Sequence, residues 1–437
     1  MPNNNSLLER LYERAPALQY RDFRLIWIGQ LISIMGTQMQ AVAVDWHIYR
    51  LLQNSTYSFM LFEQEFTLNA AALGLGSLGL VRVIPIIIFA LIGGIAADTR
   101  DRRQVLIWTQ NAAAFFALLL AIITFMGYES LAAIYFLSAA LSATSAFDNP
   151  ARQALVPNLV SREHFTNAVS LNTFIWQVAS ITGPAIAGIL VASFNVGVVY
   201  GLNAISFTAI IAALWMMNYR GKPATRDKGL GWEALTEGLR FVYSARLIWS
   251  TMWLDFFATF FSAARTMLPI VAGEVLGVGA AGYGLLATAQ PLGAVIAGGI
   301  AALSKQIHRQ GVILLVSVAV YGAATALFGL STVFALSYFF FAMTGVADTV
   351  SMVIRVTLRN LMTPDRLRGR MTSVNMMFFM GGPQLGELEA GLVAAVFGAP
   401  FAIVTGGIAT ILLTGWVAWR YPDLRNYTSD TVLEVPS

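Results

Sequence analysis

The 437-residue chain contains no cysteine, which removes disulfides, thiolate-bound metals and iron–sulfur clusters from consideration. Charge is scarce as well. Only 11% of residues are Asp, Glu, Lys or Arg, against about 25% in an ordinary soluble domain, while 57% are hydrophobic, so water is not the main solvent of this protein. Three histidines are present, His47, His164 and His308. The last two fall in loops, which leaves a membrane bis-histidine haem without its ligand pair. Sequences of the H-E-x-x-H, G-x-S-x-G and Walker types are missing too, so no enzyme, no metal site, no cofactor and no ATP drive are expected. Residues 1–22 carry Glu9, Arg10, Glu13, Arg14, Arg21 and Asp22 with neither an apolar core nor a cleavage site, so no signal peptide is expected.

What the chain does have is long apolar runs. Each is roughly 20 residues or more, enough to cross about 30 Å of hydrocarbon as a helix. Twelve are expected, over 24–47, 70–97, 104–126, 131–152, 165–193, 196–218, 247–273, 280–303, 311–330, 334–358, 371–395 and 399–420. An even number puts both termini on one side. Taking that side as cytoplasmic, all of the 27 Lys and Arg except Arg50, Arg82, Arg265 and Arg355 fall on inner loops, helix ends or tails, as basic residues flanking membrane helices do. The expectation is a multi-pass protein of the cell inner membrane. Its net charge of +4 is accounted for by anionic lipid and calls for no nucleic acid.

The sequence also repeats itself. "GGIAAD" at 93–98 returns as "GGIAAL" at 298–303, and "SLN" at 170–172 as "SVN" at 373–375. At an offset of 203, Arg152 falls on Arg355 and "GPAIAG" at 183–188 falls on "GELEAG" at 386–391. The expected organisation is an all-α membrane protein with two pseudo-symmetric six-helix bundles. The bundles are 23–218 and 247–420, joined by a cytoplasmic linker 219–246 and flanked by cytoplasmic segments 1–22 and 421–437. Parallel repeats of this kind hold their substrate site near the membrane midplane.

These residues resemble the major facilitator superfamily. Its loop pattern between the second and third helices, G-x-x-x-D-R/K-x-G-R-R/K, is met in "GIAADTRDRR" by Gly94, Asp98, Arg102 and Arg103, with Thr99 and Asp101 departing from it. "YRDFRLIWIGQLIS", "DNPARQALVPNLV" and "RLRGRMTSVN" are similar to the enterobactin-exporter and macrolide-efflux branch. The resemblance implies a secondary active transporter working by alternating access, with a small-molecule substrate, protons as the coupling ion, a monomeric state and no enzyme activity. Uptake, uniport, lysolipid flipping and a polytopic membrane enzyme remain alternatives. It also implies a cytoplasmic gate in which Asp98 pairs with an arginine of the fourth helix, here Arg152, with Arg102, Arg103 and Arg355 nearby.

Ionisable residues are costly in hydrocarbon and mark function when they occur there. The candidates are Asp45, Arg82, Asp148, Asp255, Arg265, Asp348, Arg355, Glu387 and Glu389, and the third, sixth, ninth and twelfth runs contain none before their inner ends. That distribution fits a family in which those four helices face lipid. Asp45 is expected to alternate between Arg265 and a proton. Glu387 and Glu389 point about 200° apart on one helix and cannot share a pocket. Either one senses protons or binds a cation, or both tie helices together by hydrogen bonds. Asp148, Asp255 and Asp348 are further candidates. Arg152 and Arg355 near inner helix ends could also simply reach lipid phosphate. Gly183, Pro184 and Gly188, with Gly386 and Gly391 in the second half, form a helix-packing motif similar to one found in antiporters, and small residues there also serve ordinary close packing. Trp27, Trp46, Trp176, Trp249, Trp253, Met252, Met376, Met377, Phe378 and Phe379 either line a cavity for a bulky ligand or pack in the core and against lipid.

Overall fold

The computed structural model describes residues 15–61, 64–220, 232–303, 308–364 and 367–428. The charges at 9–14, the linker residues Lys222, Pro223, Arg226 and Lys228, and most of the expected C-terminal tail lie outside these residues. Helices occupy nearly every expected run. They are α1 Arg21–Leu52, α2 Ala70–Thr99, α3 Arg102–Phe125, α4 Leu131–Leu155, α5 Phe165–Ser193, α6 Val196–Met216, a linker helix α7 Trp232–Ser244, α8 Arg246–Phe261, α9 Gly279–Ala287, α10 Ala289–Leu303, α11 Gln310–Leu330, α12 Phe334–Met362, α13 Arg368–Phe397 and α14 Ala399–Arg420. Among the described residues, eleven spans are long and apolar enough to cross a membrane, and α13 adds a further helix of 30 residues.

Local chemistry sets the helix ends. Asp101 accepts from the amides of Arg103 and Gln104 at the start of α3, Ser130 from Ala133 before α4 and Asn195 from Val198 before α6, each replacing a helical bond the first turn lacks. Gly398, at φ 91°, makes the turn between α13 and α14 that a residue with a Cβ resists. Two expected spans are interrupted. The seventh run is α8 up to Phe261, then a 3-10 turn Ala264–Met267 and a π turn Val271–Val275. Pro269 has no N–H with which to continue an α-helix from residue 265. The eighth run is split between α9 and α10 at Thr288, and Pro291 stands just beyond the split. One element was not expected at all. The stretch between α1 and α2 forms an antiparallel hairpin, β1 Thr56–Leu61 with β2 Gln64–Asn69, in register Thr56 opposite Asn69 and Leu61 opposite Gln64.

The chain divides into two compact units, residues 1–47 with 81–226 and residues 48–80 with 227–437. The end of α1, the hairpin and the start of α2 thus group with the second repeat. In the first unit α3 packs on both α4 and α6; in the second, α11 packs on both α12 and α14. These are the same partners in each repeat. The offset of 203 also predicts which glycines permit close approach. A Cβ on Gly183 of α5 would lie 2.7 Å from the Gln38 side chain and 3.2 Å from the Met35 carbonyl of α1, and one on Gly386 of α13 would strike the Phe260 backbone of α8. Equivalent glycines therefore seat the fifth helix on the first and the eleventh on the seventh. Large apolar side chains face outward on α3 and α14, Trp108 and Trp419 being about three-quarters exposed at 76% and 77%, as expected where the solvent is lipid.

Candidate functional site

The charges of the first unit are held in two places. On α4, Asp148 is buried and accepts from Thr109 Oγ1 at 3.1 Å and Gln110 Nε2 at 2.6 Å of α3, and from Nε and Nη2 of Arg152 at 2.9 and 2.6 Å. Four donors converge on this carboxylate. The pair Asp148–Arg152 spans one helical turn, so it needs no movement of neighbouring helices to form. The family resemblance implies Asp98 as the partner of Arg152. In the conformation described Asp98 is exposed, no ion pair joins the two among the described residues, and Arg152 is held by Asp148. The second place is Asp45 of α1, which pairs with Arg82 of α2 at 3.0 Å. This supplies the carboxylate partner for Arg82 that the sequence leaves unnamed, and in the conformation described it is Arg82 that holds Asp45. Two residues on, His47 Nδ1 lies 3.0 Å from the hydroxyl of the fully buried Tyr200 on α6, the packing role rather than a ligand role.

The gate loop uses its cations to finish helices. Arg102 is buried and donates to the carbonyl of Ala154 at 3.0 Å, and Arg103 donates to the carbonyl of Trp215 at 3.0 Å. Both acceptors belong to last turns, of α4 and α6, where carbonyls lack helical partners and a cation is favoured. Nothing lies within 4 Å of the position a Cβ would take at Gly94, so the described structure gives no packing reason for glycine there.

The second unit arranges its charges differently. Arg355 of α12 is 3% exposed, which does not fit an arginine reaching out to lipid phosphate. It is shared by two carboxylates, forming a short ion pair with Asp255 of α8 and a 3.2 Å pair with Asp348 of its own helix. One turn further, the buried Arg359 donates from Nε to the Arg355 carbonyl at 3.1 Å. The two carboxylates are unequal. The Asp255 side chain is 8% exposed and that of Asp348 44%. Asp348 and Arg355 line a small cavity with Ala258, Thr259, Val318, Tyr321 and Ser351. A buried cation held between one enclosed and one accessible carboxylate can exchange a proton at the accessible side without losing its partner.

Glu387 and Glu389 separate as the helix geometry requires. The Glu387 side chain lies against α2, where a Cβ on Gly79 would come 2.6 Å from its Oε2, and one turn along, a Cβ on Gly391 would come 2.5 Å from the Gly76 Cα. Glu389 is half-buried on another face of α13. Arg265 sits exposed in the 3-10 turn. Gly183, Pro184 and Gly188 are buried in α5, and Gly386 and Gly391 in α13, with Gly183 against α1, Gly386 against α8 and Gly391 against α2.

Aromatic residues make the third feature, and only part of it is visible in the sequence. Along α8, Trp249 meets Trp253 edge-on at 5.4 Å, Trp253 stacks on Phe257 at 4.8 Å, and Phe257 stacks on Phe261 at 6.0 Å. Phe256 and Phe260 stack beside them at 6.1 Å, and Phe378 of α13 meets Trp249, Trp253 and Phe256 edge-on. These rings are half-buried. Asp255 lies two residues from Trp253 and so points about 200° away from it. One face of α8 thus serves the ion cluster, and the opposite face carries rings.

A family model described as transmembrane secretion effector matches residues 14–433. The enterobactin exporter of Salmonella choleraesuis is 28% identical over 401 residues, covering 90% of this chain and 92% of that protein. The enterobactin exporter of Escherichia coli O1:K1 / APEC is 27% identical, over 90% of this chain and 91% of its own. Among solved structures, a bacterial homologue of the human lysosomal transporter Spinster, in an inward-facing and unoccupied conformation, superposes with a TM-score of 0.70 at 12% identity over 94% of this chain and 99% of that one. A bacterial homologue of the iron transporter ferroportin, in an inward-facing state, does so with 0.66 at 17% identity over 97% and 100%. Those structural likenesses concern the fold. The chain belongs to the transmembrane secretion effector family and is a multi-pass membrane transporter of the major facilitator type.

Proposed function

We propose that the protein is a proton-coupled exporter of a small organic molecule of siderophore or drug type, with Asp348 as the carboxylate that loads and releases the proton. The observation carrying this reading is the shared arginine. Arg355 keeps one enclosed carboxylate while the second opens on a cavity. Its repeat partner Arg152 has a single carboxylate already satisfied by four donors. A carboxylate that already accepts from four donors resists change; one of two that share an arginine can switch. The names of the relatives, enterobactin exporters, support the direction and the class of cargo.

The same reading places the protein in the inner membrane as a monomer with both termini cytoplasmic, its six-helix bundles at 23–218 and 247–420. The outer ends of α1 and α2 are closed on the second repeat, since a Cβ on Gly273 would strike the Tyr49 ring and Gly76 touches Gly391. In the opposite conformation these contacts part, and the inner gate closes by transfer of Arg152 from Asp148 to Asp98, with Arg102, Arg103 and Arg355 as the further gate residues. Asp45, paired with Arg82, is a further coupling carboxylate, in the first unit; Glu387 and Glu389 act as seam and cavity residues of α13.

The test is cargo-driven proton flux in proteoliposomes. Asp348→Asn is expected to uncouple cargo movement from protons, whereas Asp148→Asn with an intact fold keeps coupling. Wild-type stoichiometry and pH dependence in Asp348→Asn would remove Asp348 from the mechanism.

A further inference from the structure

The ring face of α8 has no role in the ion cluster on the opposite side of the helix. It runs from Trp249 to Phe261, about 18 Å at 1.5 Å per residue, which is more than half the thickness of the hydrocarbon layer. A lipid-facing stripe needs only apolar side chains, in any order. Here successive rings touch one another, and Phe378 enters from the neighbouring helix to meet three of them. Gly381 of α13 lies beside the same rings, where a Cβ would make an ordinary contact with Phe256 at 3.7 Å. Four residues past Phe261 the chain turns and presents Arg265, exposed and joined to no carboxylate among the described residues. A cation inside an apolar span is a functional candidate by default. Aromatic rings recognise other rings by stacking and edge contacts, and a guanidinium recognises a carboxylate or phenolate.

We propose that the aromatic face of α8, together with Phe378, is the surface that binds the aromatic portion of the cargo, and that Arg265 receives an anionic group on the same molecule. The proposal rests on the exporter reading and names the chemistry of what is exported, an aromatic anion. Trp253 and Phe257 supply the central stack, Phe378 closes one side, and Arg265 fixes which end of the ligand leads.

The test uses the full chain in lipid nanodiscs, with binding measured by calorimetry against empty discs. Three probes are compared: 2-naphthoate, its saturated decahydro counterpart, and the neutral 2-naphthylmethanol. Naphthoate is expected to bind about 3- to 10-fold more tightly than the saturated acid, and Phe257→Leu and Phe378→Leu, which keep apolar volume, are each expected to weaken it about 3- to 10-fold. Arg265→Gln should weaken naphthoate and leave naphthylmethanol unchanged. Equal binding of the aromatic and saturated acids, or leucine variants that bind as wild type with unchanged thermal stability, would overturn the proposal and mark the rings as a lipid-facing stripe. An Arg265→Gln variant that weakens both naphthyl probes alike would overturn the anion assignment. Coupled proton flux that survives the Phe and Arg substitutions separates failure of this proposal from failure of the exporter reading.

Discussion

Replacing Asp255 by Asn ought to destabilise the protein far more than replacing Asp348, although both carboxylates touch the same guanidinium. Arg355 and Asp255 have side chains only 4% and 8% exposed, so Asp255→Asn leaves a cation buried with its nearer anion gone. Breaking a buried pair by removing one partner costs about 3 to 5 kcal/mol. Asp348 stands 3.2 Å from the same arginine but is 44% exposed. Asp348→Asn leaves Arg355 its enclosed partner, so the loss expected is that of a partly exposed pair, about 1 kcal/mol. The expected gap between the two variants is therefore about 2 to 4 kcal/mol. Equilibrium unfolding in detergent, followed by tryptophan fluorescence, measures it. A double variant, Asp255→Leu with Arg355→Met, removes both charges and should recover much of what Asp255→Asn loses, because an apolar pair requires no compensating ion. Equal losses in the two single variants, or no recovery in the double one, would refute the distinction between an anchoring and an accessible carboxylate.

Three other outcomes follow from the same geometry. Gly391→Ala introduces a Cβ 2.5 Å from the Gly76 Cα, and overpacking of this kind should lower stability by about 1 to 3 kcal/mol in thermal unfolding; because the chain has no cysteine, a single cysteine introduced at Ala72, whose carbonyl faces Gly391, reports by thiol labelling whether the seam has also opened. Arg102→Gln removes a charged donor from the Ala154 carbonyl and should cost about 1.5 to 3 kcal/mol, while Asp98→Asn, at an exposed position, should leave unfolding unchanged and alter only the rate of transport. Tyr200→Phe takes the buried hydroxyl from His47 and should destabilise by about 1 kcal/mol without changing proton stoichiometry; a changed stoichiometry would assign His47 a part in coupling.

The fold was legible because hydrocarbon imposes a simple rule. A chain in lipid must satisfy its backbone internally, so each apolar run of the right length becomes a helix. Runs such as 165–193 and 399–420 are found as α5 Phe165–Ser193 and α14 Ala399–Arg420. The rule fails where proline intervenes, at Pro269, and where the chain leaves the membrane. The hairpin Thr56–Asn69 was missed there although "TYSFML" and "QEFTLN" carry β-forming residues at alternating positions. Of the site, the ionisable residues were legible as a set because each is expensive in an apolar run. Their partners were not. Arg82 and Asp45 meet because they stand at a similar level on neighbouring helices, and Arg355 meets Asp255 across a hundred positions, which no local spacing encodes. The ring ladder was visible as Trp249, Trp253 and Phe378, but its continuity depends on side-chain directions.

The repeat makes the difference between the two arginines informative. Arg152 and Arg355 occupy the same position in each half, so a purely architectural need would be met in the same way twice. The glycines do meet theirs in the same way, Gly183 against α1 and Gly386 against α8. The arginines do not. The first half pairs its cation with a carboxylate one turn away, and that carboxylate also accepts from two uncharged donors, Thr109 and Gln110; the second brings a carboxylate from another helix and leaves another facing a cavity. A charged network buried in an apolar protein is costly, and a version with an accessible carboxylate costs specificity of geometry as well. Divergence at this position is what a proton-coupled carrier requires if one half is to hold still while the other changes its protonation. Exchanging the arrangements tests this directly. Asp348→Ser with Ser351→Asp moves the second-half carboxylate to the register of Asp148, and it is expected to yield a folded protein whose cargo movement no longer responds to a proton gradient. Retained coupling in that variant would show that a carboxylate at position 348 itself is dispensable.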